Sequence, residues 1–247
     1  MSDLWQVVEQ LRHLQFVDLS HGFGPGIPKF PTDPDEVRRD IPDLPQLGCL
    51  ATVFSLVGQW GTHVDAPAHA VVGGRRLDDI PVSEMLLPLV VLDFTAEVAT
   101  DADFTPSIAD IERWEEHYGQ IPAHAFVAFR SDWSKRWPDP ELMTNQDADG
   151  IAHCPGWTPQ VIEWLVTERS ITAIGHETLD TDPGVMVSRE EFPAQLRILE
   201  LGRWQIERMT GLDLVPATGA LLIAAWPKPA LGTGFPVRAV AVLPMTV

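Results

Sequence analysis

The amino-acid sequence predicts a single mixed α/β domain, and three observations carry that prediction. Short apolar runs of strand length alternate with stretches whose apolar residues recur at helical spacing. With 247 residues, 45% of them hydrophobic, the chain can bury a sizeable core and lies outside the composition range of disordered proteins. No internal repeat, low-complexity tract or interdomain linker divides it, so residues 1–247 read as one unit.

The elements follow in order. Residues 3–13 place Leu4, Val7, Val8 and Leu11 at helical spacing, and residues 15–19 read as a strand. Residues 27–45 are proline-rich and loop-like, and so long a loop in a compact domain is expected to cover a pocket. Strands are expected over 51–57, 89–94, 125–129, 171–174, 220–225 and 237–243, several of them continuous apolar runs that suggest burial on both faces. Helices are expected over 106–117, 159–168 and about 192–201.

Charge excludes two classes of partner. Asp and Glu number 35 against 17 Lys and Arg, a net charge of -18 that repels phosphate backbones and anionic bilayers. A small-molecule partner is expected instead, with no nucleic acid and no membrane. The first residues, Met1-Ser2-Asp3-Leu4-Trp5-Gln6, carry an acid where a signal peptide would carry bases, and the cytoplasm is the expected compartment. Cys49 and Cys154 are too few for a secreted scaffold, and a bridge between them stays open.

One stretch concentrates the chemistry: Gln59-Trp60-Gly61-Thr62-His63-Val64-Asp65-Ala66-Pro67-Ala68-His69. Gly61 and Pro67 argue against a helix, and on an extended backbone the two-residue step from His63 to Asp65 puts both side chains on one face. An imidazole and a carboxylate aimed at one point make a mixed nitrogen and oxygen site for zinc, manganese or iron. Spacing alone leaves this reading level with its rival, a hydrogen-bonded surface pair. A Ser nucleophile is disfavoured, since no Gly-x-Ser-x-Gly elbow occurs, and Cys154 beside His153 reads as a loop pair.

The segment resembles the signature of the metal-dependent cyclase family, His-x-Gly-Thr-His-x-Asp-x-Pro-x-His, whose members include kynurenine formamidases, isatin hydrolases and polyketide-type cyclases. The resemblance extends to Val17-Asp18-Leu19-Ser20-His21 with Pro28, Phe30, Pro31 and Pro34. It continues through Pro155-Gly156-Trp157-Thr158-Pro159, Ala173-Ile174-Gly175-His176-Glu177-Thr178-Leu179-Asp180 and Gly232-Thr233-Gly234-Phe235-Pro236-Val237-Arg238. It implies a swivelling β/β/α fold with a barrel-like mixed sheet, and a homo-oligomer, dimer or tetramer. The nine tryptophans, many for a chain of this size, are consistent with aromatic-rich interfaces.

Two departures bear on the metal. Gln59 stands at the family's first motif histidine, and Gln195, twelve residues before Glu207, stands where the formamidases place a second-metal histidine. Amide and carboxylate oxygens suit harder ions than zinc. One oxygen-rich site is therefore expected, formed by His63 and Asp65 with Gln59 or Gln195, favouring Mn²⁺ with Zn²⁺ possible. The isatin hydrolase branch, similar to this chain at Gln195, looks like a single-manganese enzyme.

A water activated at such an ion would attack an amide, lactam or ester carbon. The expected activity is arylformamidase-like or isatin hydrolase-like hydrolysis of a carbon–nitrogen bond in a small cyclic or aromatic substrate. His69 is the first candidate for proton transfer, its rival role being to orient Asp65; Glu207 is the second, as general base or as ligand. Trp60, His21, His176 and Glu177 are expected around the substrate, while His117, His124 and His153 read as structural or surface residues. Two alternatives on the same fold are a metal-poor small-molecule binding protein and a polyketide-type cyclase.

Overall fold

The computed structural model describes residues 3–42 and 44–245. Eleven strands are formed among the described residues: β1 (Phe16–Asp18), β2 (Val37–Asp40), β3 (Thr52–Ser55), β4 (His63–Asp65), β5 (Leu86–Asp93), β6 (Phe126–Arg130), β7 (Ala173–His176), β8 (Trp204–Glu207), β9 (Ala220–Ala225), β10 (Gly234–Pro236) and β11 (Arg238–Val242). The helices are α1 (Leu4–Arg12), α2 (Thr95–Thr100), α3 (Ile108–Tyr118), α4 (Pro140–Thr144), α5 (Pro159–Arg169), α6 (Gly184–Val187) and α7 (Pro193–Glu200). Nine strands make one mixed sheet in the order β1-β11-β9-β5-β6-β7-β8-β4-β10, curled into a half barrel. Its centre, β5 to β8, is parallel, and both flanks are antiparallel.

Strand alternation divides the core between the two faces of this sheet. Leu87, Leu89 and Val91 of β5 join Phe126, Ala128, Trp204, Ile206 and Leu222 on the inside of the curl. Val90 and Leu92 point the other way, with Val127, Phe129 and Ile174, to meet Ile111 and Trp114 of α3, Ile162 and Leu165 of α5 and Ile198 of α7. The central strands are therefore apolar at nearly every position, the pattern of a sheet buried on both faces.

The segments expected as strands at 89–94, 125–129, 220–225 and 237–243 lie in this sheet, and the three longer helices stand within two residues of their expected starts. The segment 51–57 departs from expectation. Only Thr52–Ser55 is extended, it pairs with Val37–Asp40 alone, and every residue of the hairpin's two strands is exposed. Arg38, Arg39, Asp40, Thr52 and Ser55 deny it a continuous apolar face to bury. The strand expected at 171–174 is displaced to Ala173–His176. Within the proline-rich 27–45 loop, Phe30 and Asp33 do line a cavity; residue 43 lies outside the described residues, as do Met1 and Ser2.

The tryptophans have mostly gone inward, with Trp60, Trp133, Trp157 and Trp204 fully buried. Both cysteines are free. No helix among the described residues is long and apolar enough to cross a membrane.

Candidate active site

The site is built where two antiparallel strands cross the helix-covered face of the sheet. In β4, Val64 turns to the inside of the curl, so His63 and Asp65 turn the other way; in β8, Trp204 and Ile206 turn inside, so Gln205 and Glu207 turn to the same side as His63 and Asp65. The register pairs His63 with Glu207 and Asp65 with Gln205, and directly opposed residues share a face. Two i, i+2 pairs thus become a four-residue cluster, all of it buried.

His63 Nε2 lies 3.6 Å from Asp65 Oδ2 and 3.5 Å from Glu207 Oε2. It has no hydrogen-bond partner, while Nδ1 on the far side of the ring is fixed 2.9 Å from the Gly61 carbonyl. One donor atom from each of His63, Asp65 and Glu207 lies within 4.8 Å of the others. A fully enclosed imidazole nitrogen without a partner, facing two carboxylates, is the arrangement a divalent cation completes. The residues present therefore fit a divalent ion, with one nitrogen and several oxygens as donors. Without one, burial disfavours charge on His63, but the Asp65 and Glu207 carboxylates outweigh it and raise the imidazole pKa. Asp65 moves the other way: burial opposes its ionisation, yet His63, His69 and the Gln59 amide hold its carboxyl below the usual range.

Amides and hydroxyls fix these carboxylates. Gln205 Nε2 is 2.9 Å from Glu207 Oε1 and 3.3 Å from Asp65 Oδ2, and Thr181 Oγ1 donates to Glu207 Oε1 at 3.0 Å. Gly234, across from Asp65 in β10, lets its backbone approach: a Cβ there would lie 2.2 Å from Gln59 Nε2 and 2.8 Å from Asp65 Oδ1. The site opens into a cavity of about 690 Å³. Phe30, Phe192, Pro193 and Leu196 give it an apolar wall, and Asp65, His69 and Glu207 reach it from the polar side. Asp182 anchors the wall by accepting from the backbone nitrogens of Ala194 (2.7 Å) and Gln195 (2.9 Å) at the start of α7. Burial still pushes this carboxyl up to about 6.

The expected residues divide accordingly. His69 lies exposed on the cavity wall, its Nδ1 3.2 Å from Gln59 Nε2. Gln59 lines the cavity but turns its amide nitrogen to Asp65 Oδ1 at 3.0 Å, so it bridges Asp65 and His69 instead of offering a ligand oxygen. Gln195 is on the α7 wall and makes no side-chain hydrogen bond to the cluster. The amide that touches both carboxylates, Asp65 and Glu207, is Gln205, which sequence reasoning missed. Its signal was the Gln205-Ile206-Glu207 alternation, repeating the spacing of His63 and Asp65.

His176 reaches the cluster from β7, its Nε2 3.6 Å from Glu207 Oε1 and its Nδ1 2.9 Å from Thr178 Oγ1. Three expected substrate contacts are corrected. Glu177, one residue on, cannot share the facing of His176; it accepts from Ser131 N (2.7 Å) and Ser134 Oγ (2.6 Å). Trp60 is enclosed, its indole N–H donating to Glu36 at 2.9 Å, which leaves no face for a substrate. His21 stacks on Trp137 with centroids 4.4 Å apart and lines a neighbouring cavity.

Comparison with known proteins agrees with this architecture. Residues 17–183 match the family model described as putative cyclase. An isatin hydrolase of Roseibium aggregatum is 33% identical over 94% of this chain and 92% of its own length. A kynurenine formamidase of Salinibacter ruber is 26% identical over 92% of this chain and 97% of its own. A solved isatin hydrolase bound to the product analogue thioisatinate superposes with a TM-score of 0.90, at 30% identity, covering 99% of this chain and 100% of that one. With a family model matching more than half its length and a relative 33% identical across nearly all of it, the chain belongs to the putative cyclase family.

Proposed function

We propose that the protein is a metal-dependent hydrolase that opens a carbon–nitrogen bond in a small cyclic amide. The observation that carries this reading is the unpartnered His63 Nε2, enclosed between the carboxylates of Asp65 and Glu207, which line an apolar-walled cavity. His63, Asp65 and Glu207 would hold the ion. When bound, such an ion supplies Lewis acidity, lowering the pKa of a coordinated water and polarising a carbonyl oxygen. One nitrogen among carboxylate oxygens favours Mn²⁺, with Zn²⁺ as the weaker fit.

The protein's own groups do the rest. Phe30, Phe192 and Leu196 accept a flat ring and keep water from it. His69 acts as the donor: the Gln59 amide nitrogen can only donate, so Nδ1 accepts and the neutral imidazole, exposed to the cavity, carries its hydrogen on Nε2 and presents that N–H to the departing nitrogen. Glu207 serves as ligand, because Thr181 and Gln205 already occupy its Oε1 and His63 faces its Oε2. An isatin-like lactam is favoured over a formamide because the relatives named isatin hydrolase stand at 33% and 30% identity against 26% for the kynurenine formamidase. A hydrolysis screen of isatin, N-formylkynurenine and an aryl ester with Mn²⁺-loaded protein tests this. Preferential opening of the lactam is expected, and esters turned over alone would remove the carbon–nitrogen reading.

We also propose a homo-oligomer. With the tryptophans largely in the core, support comes from exposed apolar residues instead: Leu4, Trp5 and Val8 on α1, Val37 and Phe54 on the hairpin. Light scattering giving a single 27.3 kDa species would contradict it.

A further inference from the structure

We infer that Arg208 is a product-anchoring residue that binds the negatively charged oxygen generated when the amide is opened, so that the cavity prefers the ring-opened carboxylate beside its aromatic ring to a neutral counterpart. This rests on the hydrolase reading given above. Arg208 directly follows Glu207 and lines the same cavity as Asp65 and His69, yet it is only 2% exposed. Its Nε lies 3.4 Å from the Leu179 carbonyl and its Nη1 3.1 Å from the Gln59 carbonyl. Nη2 has no acceptor among the described residues and is not enclosed. No carboxylate comes within the 4.0 Å of an ion pair with this guanidinium among the described residues. A buried guanidinium held by two neutral carbonyls, with the Asp180 carboxyl acting on it only from beyond ion-pair distance, has paid desolvation without a direct anionic partner. Arg208 is nonetheless a lining residue of the cavity, and Nη2 is the guanidinium nitrogen left without an acceptor there.

The backbone is arranged to hold it there. Arg208 has a φ of 57°, in the left-handed region that a non-glycine residue enters at a cost. Two contacts fix it: Thr62 Oγ1 donates to its carbonyl at 2.6 Å, and its N–H donates to the Thr178 carbonyl at 3.2 Å. Thr62 belongs to the segment that carries His63, so the arginine and the histidine are positioned by one piece of chain.

The chemistry supplies the missing anion. In amide hydrolysis, water oxygen adds to the carbonyl carbon and the carbon–nitrogen bond breaks. The nitrogen keeps one water proton, the second is released, and the carbon leaves as a carboxylate. That charge appears beside Asp65, Glu207 and Asp180, in a cavity whose single lysine or arginine among the described lining residues is Arg208. A guanidinium presents paired donors suited to a carboxylate. The apolar wall of Phe30 and Phe192, with ring centroids 6.2 Å apart, takes the attached ring.

The test is calorimetric binding of phenylglyoxylate and its methyl ester to Mn²⁺-loaded protein, wild type against Arg208→Met and Arg208→Lys. In Arg208→Met, phenylglyoxylate is expected to bind about tenfold more weakly or worse, the loss of one charge-assisted contact, while the ester changes less than about twofold. Arg208→Lys keeps the charge without the fork and is expected to fall between. A purely structural role would weaken both ligands together, and that result, or unchanged carboxylate binding in both variants, overturns the inference. Should neither variant fold, chelator-treated wild type decides: preference for the carboxylate supports Arg208, and equal affinities overturn it. Binding that depends on Arg208 in a protein that opens no lactam would leave this inference standing and remove the hydrolase reading alone.

Discussion

His63 and Glu207 face each other across the β4–β8 register, with Nε2 3.5 Å from Oε2 and no hydrogen bond made by that nitrogen. Gln205 secures the carboxylate side of this pair through Glu207 Oε1. Gln205→Leu should therefore weaken metal binding by roughly 10–100-fold, the usual cost of losing a group that orients a ligand, without unfolding the protein. A competition titration with a fluorescent chelator measures it. Affinity equal to wild type would show that Gln205 does not govern the site.

Gly234→Ala probes the same cluster from β10. The added methyl would sit 2.2 Å from Gln59 Nε2 and 2.8 Å from Asp65 Oδ1, distances at which something must move. Loss of metal occupancy with the fold retained by circular dichroism is expected. Full occupancy would mean that Gln59 can swing away at no cost to Asp65.

His21 sets a pH effect on stability. Burial lowers its imidazole from 6.5 to about 4, so between those values the unfolded chain takes a proton that the folded protein refuses. The penalty is absent above pH 6.5 and complete below about 4; stability falls as pH drops through that window. Asp182, raised to about 6, acts in the opposite sense, so the informative quantity is a difference between proteins. His21→Asn should show a shallower decline of Tm between pH 6.5 and 4 than wild type. Parallel curves would remove His21 as the cause.

Thiol labelling should find the two cysteines unequal. Cys49 is exposed, whereas burial pushes the Cys154 thiol up to about 12. Ellman's reagent is expected to label one thiol in the native protein and both in denaturant. Two fast native thiols would place Cys154 at the surface.

The sequence made the central sheet legible because β5, β6, β9 and β11 are apolar at nearly every position. It concealed β8 and β10: Trp204-Gln205-Ile206-Glu207 is half polar, and Gly234-Phe235-Pro236 is too short to show a period. Their polarity is their function, since Gln205, Glu207 and Gly234 exist to build the site. His63 and Asp65 were readable from their spacing, and Glu207 from the family resemblance. What no local pattern could reveal was the register that sets Glu207 opposite His63, or the enclosure that takes Trp60 and Glu177 away from the cavity. Those are properties of chain crossings, the register joining residues more than a hundred positions apart and the contacts of Trp60 and Glu177 joining residues 24 to 46 positions apart.

The most direct measurement is the rate of isatin ring opening, followed by absorbance, in wild type, Glu207→Gln and His63→Ala, after chelation and after return of Mn²⁺ or Zn²⁺. If His63, Asp65 and Glu207 hold the catalytic ion, chelation abolishes activity in wild type. Mn²⁺ then restores it at least as well as Zn²⁺, and both variants stay inactive with either metal. Activity that survives complete metal removal, or that both variants retain, would contradict the assignment.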